Sequence, residues 1–272
     1  MCLKKLSITY IIKENTMTKP NFTHIVALLD RSGSMLRVQN DTIGGFNTFV
    51  NEQKKVPGEA TLTLVQFSDS CETTFADIPL AHVAPLTVDT YKPSGWTALN
   101  DALGKTINDV GHKLAAKPEA ERPSKVIVLI MTDGEENKSK EYVGTAGLTK
   151  LSSMVGHQKE QYAWEFVFIG ANINAFTAAN TYGIDRGHAI NYSQQGYGQS
   201  NAFKSLSRGM VGSRLSASAG VAAPANFFEN ERSQDLVFHE TLDTLDIGAT
   251  IDKYTKKETA TQPVSKDEKP TT

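Results

Sequence analysis

Three short segments of the chain carry oxygen-bearing side chains that could bind a metal ion. The first is the turn after the apolar run 24–29, where the carboxylate of Asp30 stands beside the hydroxyls of Ser32 and Ser34. Gly33 permits the tight turn between the two serines. Carboxylate and hydroxyl oxygens, with no thiol or imidazole among them, suit a hard cation such as Mg²⁺. This turn is the strongest candidate for a chemically active site.

Two later segments supply further oxygen atoms. Thr97 lies in a loop that leads into a helical pattern, and Asp133 follows the apolar run 126–131, which is typical of a second buried strand. Open α/β sheets bind their ligands at the carboxyl ends of the strands, where such loops meet. The sequence therefore predicts that both residues converge with the first turn on one metal site.

The three segments together match a known pattern. An Asp-x-Ser-x-Ser turn, a Thr in a second loop and an Asp in a third resemble the metal-ion-dependent adhesion site of von Willebrand factor type A domains. The matching residues are Asp30, Ser32, Ser34, Thr97 and Asp133. The resemblance spans roughly residues 23–215, the usual size of one domain. Among relatives, the chain looks most similar to small bacterial and phage proteins of the tellurium-resistance type.

The resemblance also implies a function. Mg²⁺ or Mn²⁺ would occupy the site, with Ser32 and Ser34 binding it directly. Asp30 and Asp133 would act mostly through water, and Thr97 would bind directly in one state and through water in another. Such a set leaves the ion electron-poor, so that a Glu or Asp of a protein partner completes its octahedron. The implied protein is a non-catalytic, metal-dependent protein-binding module.

Taken singly, each of these residues has a simpler explanation. Asp30 could be a strand-end or helix-capping acid, and Ser32 and Ser34 could be turn and N-cap residues. We expect Asp30 to lie at the surface and to contribute little packing, so that Asp30→Ala abolishes metal binding and leaves the fold intact. Thr97 could cap the helix that we expect to begin with it, and Asp133 could belong to an ordinary turn. The coincidence of all five oxygen-bearing side chains favours the metal site.

Neighbouring residues have two interpretations as well. Tyr91 and Trp96 could line the rim of the site, although an aromatic side chain beside a loop more often serves packing. Glu135, Glu136 and Asn137 could shape its entrance, although a solvated acidic turn is the simpler reading.

Two other function classes have to be weighed against the metal-dependent binding module. A Mg²⁺-dependent hydrolase of the phosphatase type would use Asp30 as nucleophile, but it needs a second acid two residues on, where this chain has Ser32. No nucleophile elbow, zinc-protease motif or phosphate-binding glycine loop occurs either. The third class is a scaffold that binds its partner without metal, against which the complete set of site residues argues.

The composition of the chain indicates which partners and which cellular compartment we expect for it. The formal net charge of −2 gives no electrostatic case for binding nucleic acid or an anionic membrane. No apolar run is long enough to cross a bilayer. The chain has only Cys2 and Cys71, which we expect to be unpaired, and this agrees with a cytoplasmic protein. The sequence leaves the oligomeric state open.

Alternating strand and helix patterns define the expected fold. They predict an α/β protein with a doubly wound, mostly parallel sheet, helices on both faces and one antiparallel edge strand. The predicted strands are 24–29, 60–67, 71–75, 126–131, 164–169 and 189–192. The predicted helices follow Met35, begin at Thr97, and cover 145–158, 175–182 and 202–215.

The ends of the chain fall outside this alternation. We expect residues 1–16 to be an unstructured extension, with translation starting at either Met1 or Met17, and the domain to occupy residues 17–217. Residues 218–252 form an uncertain segment that could dock on the domain. Residues 253–272 are rich in Lys, Glu, Thr and Pro, a composition typical of a disordered tail.

Overall fold

A mostly parallel sheet organises the protein. In chain order its strands are β1 (Lys19–Asp30), β2 (Glu59–Phe67), β3 (Cys71–Pro79), β4 (Pro123–Thr132), β5 (Glu165–Ala171) and β6 (Ala189–Tyr192). Their order across the sheet is β3-β2-β1-β4-β5-β6. The computed structural model describes residues 18–171, 173–193, 198–219, 221 and 224–228. Every neighbouring pair of strands is parallel except β2 and β3, which pair antiparallel at one edge. This arrangement confirms the predicted doubly wound sheet with its single antiparallel edge.

The predicted strands and helices within the described residues are all present, and several are longer than their sequence patterns indicated. The α-helices are α1 (Gln39–Gln53), α2 (Leu99–Ala115), α3 (Gly144–Tyr162), α4 (Ala175–Thr181) and α5 (Gly198–Ser218). Gly183, with φ of +74°, follows the C-cap residue of α4, where the left-handed conformation of a glycine ends a helix.

Helices cover both faces of the sheet, so the central strand β1 is buried on each side. Ile25 and Leu29 of this strand belong to the core under α1 and α5, whereas Val26 and Leu28 belong to the core under α2, α3 and α4. A strand with two buried faces needs apolar residues at consecutive positions. This double burial explains the unbroken apolar run that precedes Asp30.

The first and last helices approach each other closely on one face. A methyl group added at Gly45 of α1 would collide with the ring of Phe203 of α5, whereas one added at the neighbouring Gly44 would meet nothing within 4 Å. Nearby, the buried guanidinium of Arg214 in α5 donates to the main-chain oxygen of Gln53, at a distance of 2.8 Å. A cation at this position stabilises the carboxyl end of α1.

The predicted segments at the two ends of the chain are only partly described. Residues 1–16, with Cys2, and the tail 253–272 lie outside the described residues, as does most of the segment 218–252. At the start of that segment, Phe227 and Phe228 are buried against the core under α1 and α5. Cys71 has a free, half-buried thiol. Within the described part of the chain, no helix combines the length and apolar character needed to cross a membrane.

The glycine pair of α1 offers a direct test of this helix packing. Gly44→Ala should raise the free energy of unfolding by about 0.5–1 kcal/mol, because alanine favours the helix and its methyl group has space. Gly45→Ala should lower it by about 1–3 kcal/mol, because the buried ring of Phe203 has to move. Urea unfolding of the two single variants measures both changes. Equal effects at the two positions would contradict the close contact between α1 and α5.

Candidate metal centre

Asp30 ends the central strand and is fully buried, with 0% of its side chain exposed. Its Oδ1 accepts a hydrogen bond of 2.6 Å from the main-chain N–H of Ser32, and its Oδ2 accepts one of 2.6 Å from the hydroxyl of Thr132. The expectation of a surface acid that contributes little to the fold was therefore wrong. Sequence patterns did not reveal Thr132, because its role depends on the parallel pairing of β1 with β4.

Burial also changes the ionisation of this carboxyl group. Desolvation raises the pKa of Asp30 to about 6, although the hydrogen bonds from Thr132 and Ser32 oppose the rise. The nearby charge of Asp133 adds to it. The metal-free protein thus holds a carboxylate that is costly to ionise, in a place where a cation would relieve the cost.

The two aromatic residues considered for the rim have different positions. Tyr91 is fully buried, and its hydroxyl donates to the main-chain oxygen of Asp30 at 2.5 Å. It therefore supports the end of β1 from within the core. Trp96 is 60% exposed and stands directly before Thr97. Of the two, only Trp96 is available to a binding partner.

The first loop brings the two serine hydroxyls together with the second acid. The hydroxyls of Ser32 and Ser34 are 3.1 Å apart, and Ser34 donates to Oδ1 of Asp133 at 2.6 Å. Ser32 is buried, whereas Ser34 is exposed, so the site opens to solvent on the Ser34 side. A short 3₁₀ helix, Gly33–Val38, begins within this loop and includes Ser34.

Thr97 faces the same space from the second loop. A methyl group added at Gly134 would lie 3.5 Å from the Thr97 hydroxyl and 3.9 Å from the Ser34 hydroxyl, so both hydroxyls border one small volume. The helix was predicted to begin at Thr97, but α2 begins at Leu99. Thr97 therefore lies before the helix. Its main-chain N–H donates to the side chain of Asn137 at 2.9 Å, which holds it in the preceding loop.

The third loop is hydrogen-bonded to the second loop and to α2 by Glu136 and Asn137, two of the residues considered for the entrance of the site. The main-chain N–H of Asn137 donates to the main-chain oxygen of Thr97 at 3.0 Å, which makes their contact reciprocal. Glu136 accepts a hydrogen bond of 2.7 Å from the main-chain N–H of Asn100, in the first turn of α2. This is a capping interaction supplied by a distant part of the chain. Asn137 thus positions Thr97 and Glu136 positions the first turn of α2, while Glu135 and Asn137 are both exposed at the entrance.

The donor set fits a hard divalent cation. It contains the carboxylates of Asp30 and Asp133 and the hydroxyls of Ser32, Ser34 and Thr97. Among the described residues there is no cluster of three or more His, Cys, Asp or Glu side chains that could hold a metal ion. The 3.1 Å between the two serine hydroxyls is close to the separation of about 2.9 Å between adjacent oxygens around Mg²⁺, whose bonds are about 2.0–2.1 Å long.

Comparison with known proteins identifies the family. The model of the von Willebrand factor type A domain matches residues 24–175, which is more than half of the 272-residue chain. The protein therefore belongs to the von Willebrand factor type A domain family. Domains of this family are usually non-catalytic modules that bind protein ligands. No curated protein matches the chain by sequence.

Solved structures with a similar fold come from distant organisms. The ArnB paralog VWA2 of Sulfolobus acidocaldarius has 15% identity and a TM-score of 0.45, over 70% of this chain and 45% of that chain. Proximal thread matrix protein 1 of the mussel byssus, with a zinc-occupied MIDAS motif, has 16% identity and a TM-score of 0.46, over 74% and 47%. Manganese-loaded TRAP protein of Plasmodium vivax has 17% identity and a TM-score of 0.43, over 64% and 70%. The chain thus spans less than half the length of the first two, and these similarities assign it no metal or partner.

The buried carboxylate gives a pH-dependent prediction for the metal-free protein. Because the folded-state pKa of about 6 exceeds the ordinary 3.8, the stability that Asp30 contributes is fully present below pH 3.8. It is lost as the pH rises through about 6. Asp30→Asn should therefore stabilise the metal-free fold near pH 7.5, by up to about 3 kcal/mol, and have little effect near pH 4. Urea unfolding in a chelator at both pH values measures the difference.

The exposed Asp89 provides the matched control. Asp89→Asn should leave stability unchanged at either pH, since its carboxylate remains in water. A loss of stability in Asp30→Asn of equal size at both pH values would show that hydrogen bonding, and not ionisation, dominates at this position.

Proposed function

We propose that the protein is a non-catalytic module that binds a protein partner through a divalent ion, Mg²⁺ or Mn²⁺. The single observation that carries the proposal is the position of the Ser34 hydroxyl. It lies 3.1 Å from the Ser32 hydroxyl and 2.6 Å from Oδ1 of Asp133, which is 99 residues away in the chain. Hydroxyl and carboxylate oxygens from separate loops converge in this way where a hard cation is to be held.

Each side chain has a role that follows from its contacts. Ser32, Ser34 and Thr97 offer uncharged hydroxyl ligands to the ion. Both oxygens of Asp30 already accept hydrogen bonds from the protein, so this residue supplies charge and orients the loop. Asp133 accepts a hydrogen bond from the Ser34 hydroxyl, which leaves the lone pairs of that hydroxyl oxygen available to the ion.

The choice of neutral ligands determines the partner. An ion bound directly by hydroxyls keeps most of its charge, and when bound it supplies an electrophilic position for one more oxygen ligand. A carboxylate of the partner, from Glu or Asp, suits that position best. The exposed Ser34 side of the site leaves room for it, and the exposed ring of Trp96 stands beside it as an anchor for the surrounding interface.

The burial of Asp30 weighs against the hydrolase alternative. A nucleophilic carboxylate has to reach the substrate, but this one has no exposed surface and both its oxygens are engaged. The residue two positions on is Ser32, whose main-chain N–H binds Asp30, so no acid stands where a phosphatase needs one. We therefore propose that Asp30 is a structural and electrostatic element of a binding site.

The biological setting is part of the same proposal. We assign the protein to the cytoplasm because its two cysteines are expected to be unpaired, as in a reducing compartment. We also propose that the chain is related to small bacterial and phage proteins of the tellurium-resistance type, which it resembles in sequence. This relationship would indicate the biological pathway, but it does not affect how the site binds its partner.

Removal of one hydroxyl ligand should weaken metal binding. Ser34→Ala should lower the affinity for Mn²⁺ about tenfold or more, because it removes a direct ligand together with the hydrogen bond by which Asp133 orients that ligand. Isothermal titration calorimetry measures the affinity. Ser153→Ala is the matched control, since this exposed serine of α3 donates only to Thr149 of its own helix. Unchanged Mn²⁺ affinity in Ser34→Ala would refute the site.

Recognition through the ion should select acidic peptides. Peptides selected on the wild-type protein in Mg²⁺ from a random display library should carry Glu or Asp at one fixed position. A chelator should abolish their binding, and Thr97→Ala should weaken it strongly while Ser32 and Ser34 still retain some metal. Thr149→Ala, at an exposed threonine of α3, should bind them as the wild type does. Peptides that bind equally well in the chelator would identify a metal-independent scaffold instead.

A further inference from the structure

A cavity of about 420 Å³ opens beside the candidate metal centre, on the sheet face covered by α2, α3 and α4. Its floor is formed by buried side chains, among them Leu99 and Phe168, and its rim by exposed ones, among them Glu135 and Thr177. It therefore reaches from the core to solvent. Its volume lies within the range of small-ligand sites, which is about 300–1,000 Å³.

The walls of the cavity are held in place before any ligand arrives. The side chain of Asn100 donates to the main-chain oxygen of Tyr142 at 3.0 Å and accepts from the hydroxyl of Tyr182 at 2.7 Å. Asn174 accepts from the main-chain N–H of Thr177 at 3.1 Å and caps α4. Since these polar groups satisfy one another, the cavity keeps its shape, and a ligand need not compete with them.

The lining carries charge of one sign only. Its described residues include two glutamates and no Lys, Arg or His. Glu136 is already engaged, because it binds main-chain N–H groups of Asn100, Lys138 and Ser139. The carboxylate of Glu135 is exposed at the rim. The remaining surface includes Leu148, Ile173 and other apolar side chains, so a ligand would meet an apolar wall and one available negative charge.

The cavity adjoins the metal centre through residues that lie next to the proposed metal-binding ones. Gly134, at which an added methyl group would lie 3.5 Å from the Thr97 hydroxyl, also lines the cavity. Leu99 and Asn100, which line it too, form the first turn of α2 immediately after Thr97. The two sites nevertheless differ in chemistry, since none of the five proposed metal-binding residues lines the cavity.

We propose that this cavity is a second binding site, which takes a compact ligand with an apolar body and one cationic group. The apolar body occupies the space between α2, α3 and α4, where removal of its surface from water supplies most of the affinity. The cationic group pairs with Glu135 at the rim and gives the site its preference for amines over acids. The proposal rests on the cavity alone and holds whether or not the neighbouring site binds metal.

The test uses three aromatic probes of similar size and different charge on the full chain in a chelator. They are 2-phenylethylamine, the uncharged 2-phenylethanol and the anionic 3-phenylpropanoate. Two-dimensional ¹H–¹⁵N NMR titrations should show saturable shifts of the amides of Leu99, Gly134 and Leu148, with a Kd on the order of 1 mM for the amine. The alcohol should bind a fewfold more weakly and the acid about tenfold more weakly.

Two variants with matched controls locate the ligand. Ala178→Phe fills the cavity from α4 and should abolish binding of the amine, whereas Ala115→Phe, at an exposed position at the end of α2, should not. Glu135→Gln should remove the preference for the amine over the alcohol, whereas Glu160→Gln, on exposed surface of α3, should preserve it.

Two results would overturn the proposal. One is the absence of saturable shifts at the cavity amides with all three probes. The other is a phenylpropanoate affinity equal to that of the amine, which would remove the assigned ligand class. If Ala178→Phe fails to fold, the charge series on wild type and Glu135→Gln decides the question without it.

Discussion

The burial of the Asp30 carboxylate is the constraint on which the structure at the carboxyl ends of the parallel strands depends. This acid ends the central strand with no exposed surface, so its charge has to be balanced by groups that the fold brings to it. The N–H of Ser32 and the hydroxyl of Thr132 donate hydrogen bonds to its two carboxylate oxygens, and the hydroxyl of Tyr91 donates to its main-chain oxygen. The hydrogen bonds to the carboxylate offset only part of the free-energy cost of desolvation, so the pKa of Asp30 stays raised. The same unfavourable charge makes the position suitable for a cation, because a bound ion would recover in binding free energy what burial costs in folding.

The loops around this acid form one connected unit. The N–H of Gly33 in the first loop binds the main-chain oxygen of Gly95 in the second at 3.0 Å, and Asn137 of the third loop binds Thr97 in both directions. Glu136 extends the connection into the first turn of α2. A displacement of Thr97 would therefore be transmitted to the third loop and to the helix. If a partner favours one position of Thr97, its effect on the helix is limited by its difference in affinity between the two positions.

Several features of the site were predictable because they depend on local sequence. A strand end followed by acids and hydroxyls is a pattern of neighbouring residues, and parallel strands bring such ends to one edge. The support of the site was not predictable in this way. Thr132 and Tyr91 bind Asp30 only because β4 and a distant loop lie against β1, and Glu136 caps a helix that begins 37 residues earlier at Leu99. The start of α2 was misplaced for the same reason, since Asn137 holds Thr97 outside the helix.

The sequence by itself determined the fold class, the order of strands and helices, and the set of oxygen-bearing residues at the sheet edge. These follow from periodic burial and from turn chemistry, both of which act over a few residues. Only the tertiary structure decided that Asp30 is buried, that Ser34 meets Asp133, and that a cavity lies beside them between α2, α3 and α4. Burial, pKa and cavity shape depend on atoms far apart in the chain, and a local pattern carries no information about their distance until packing fixes it.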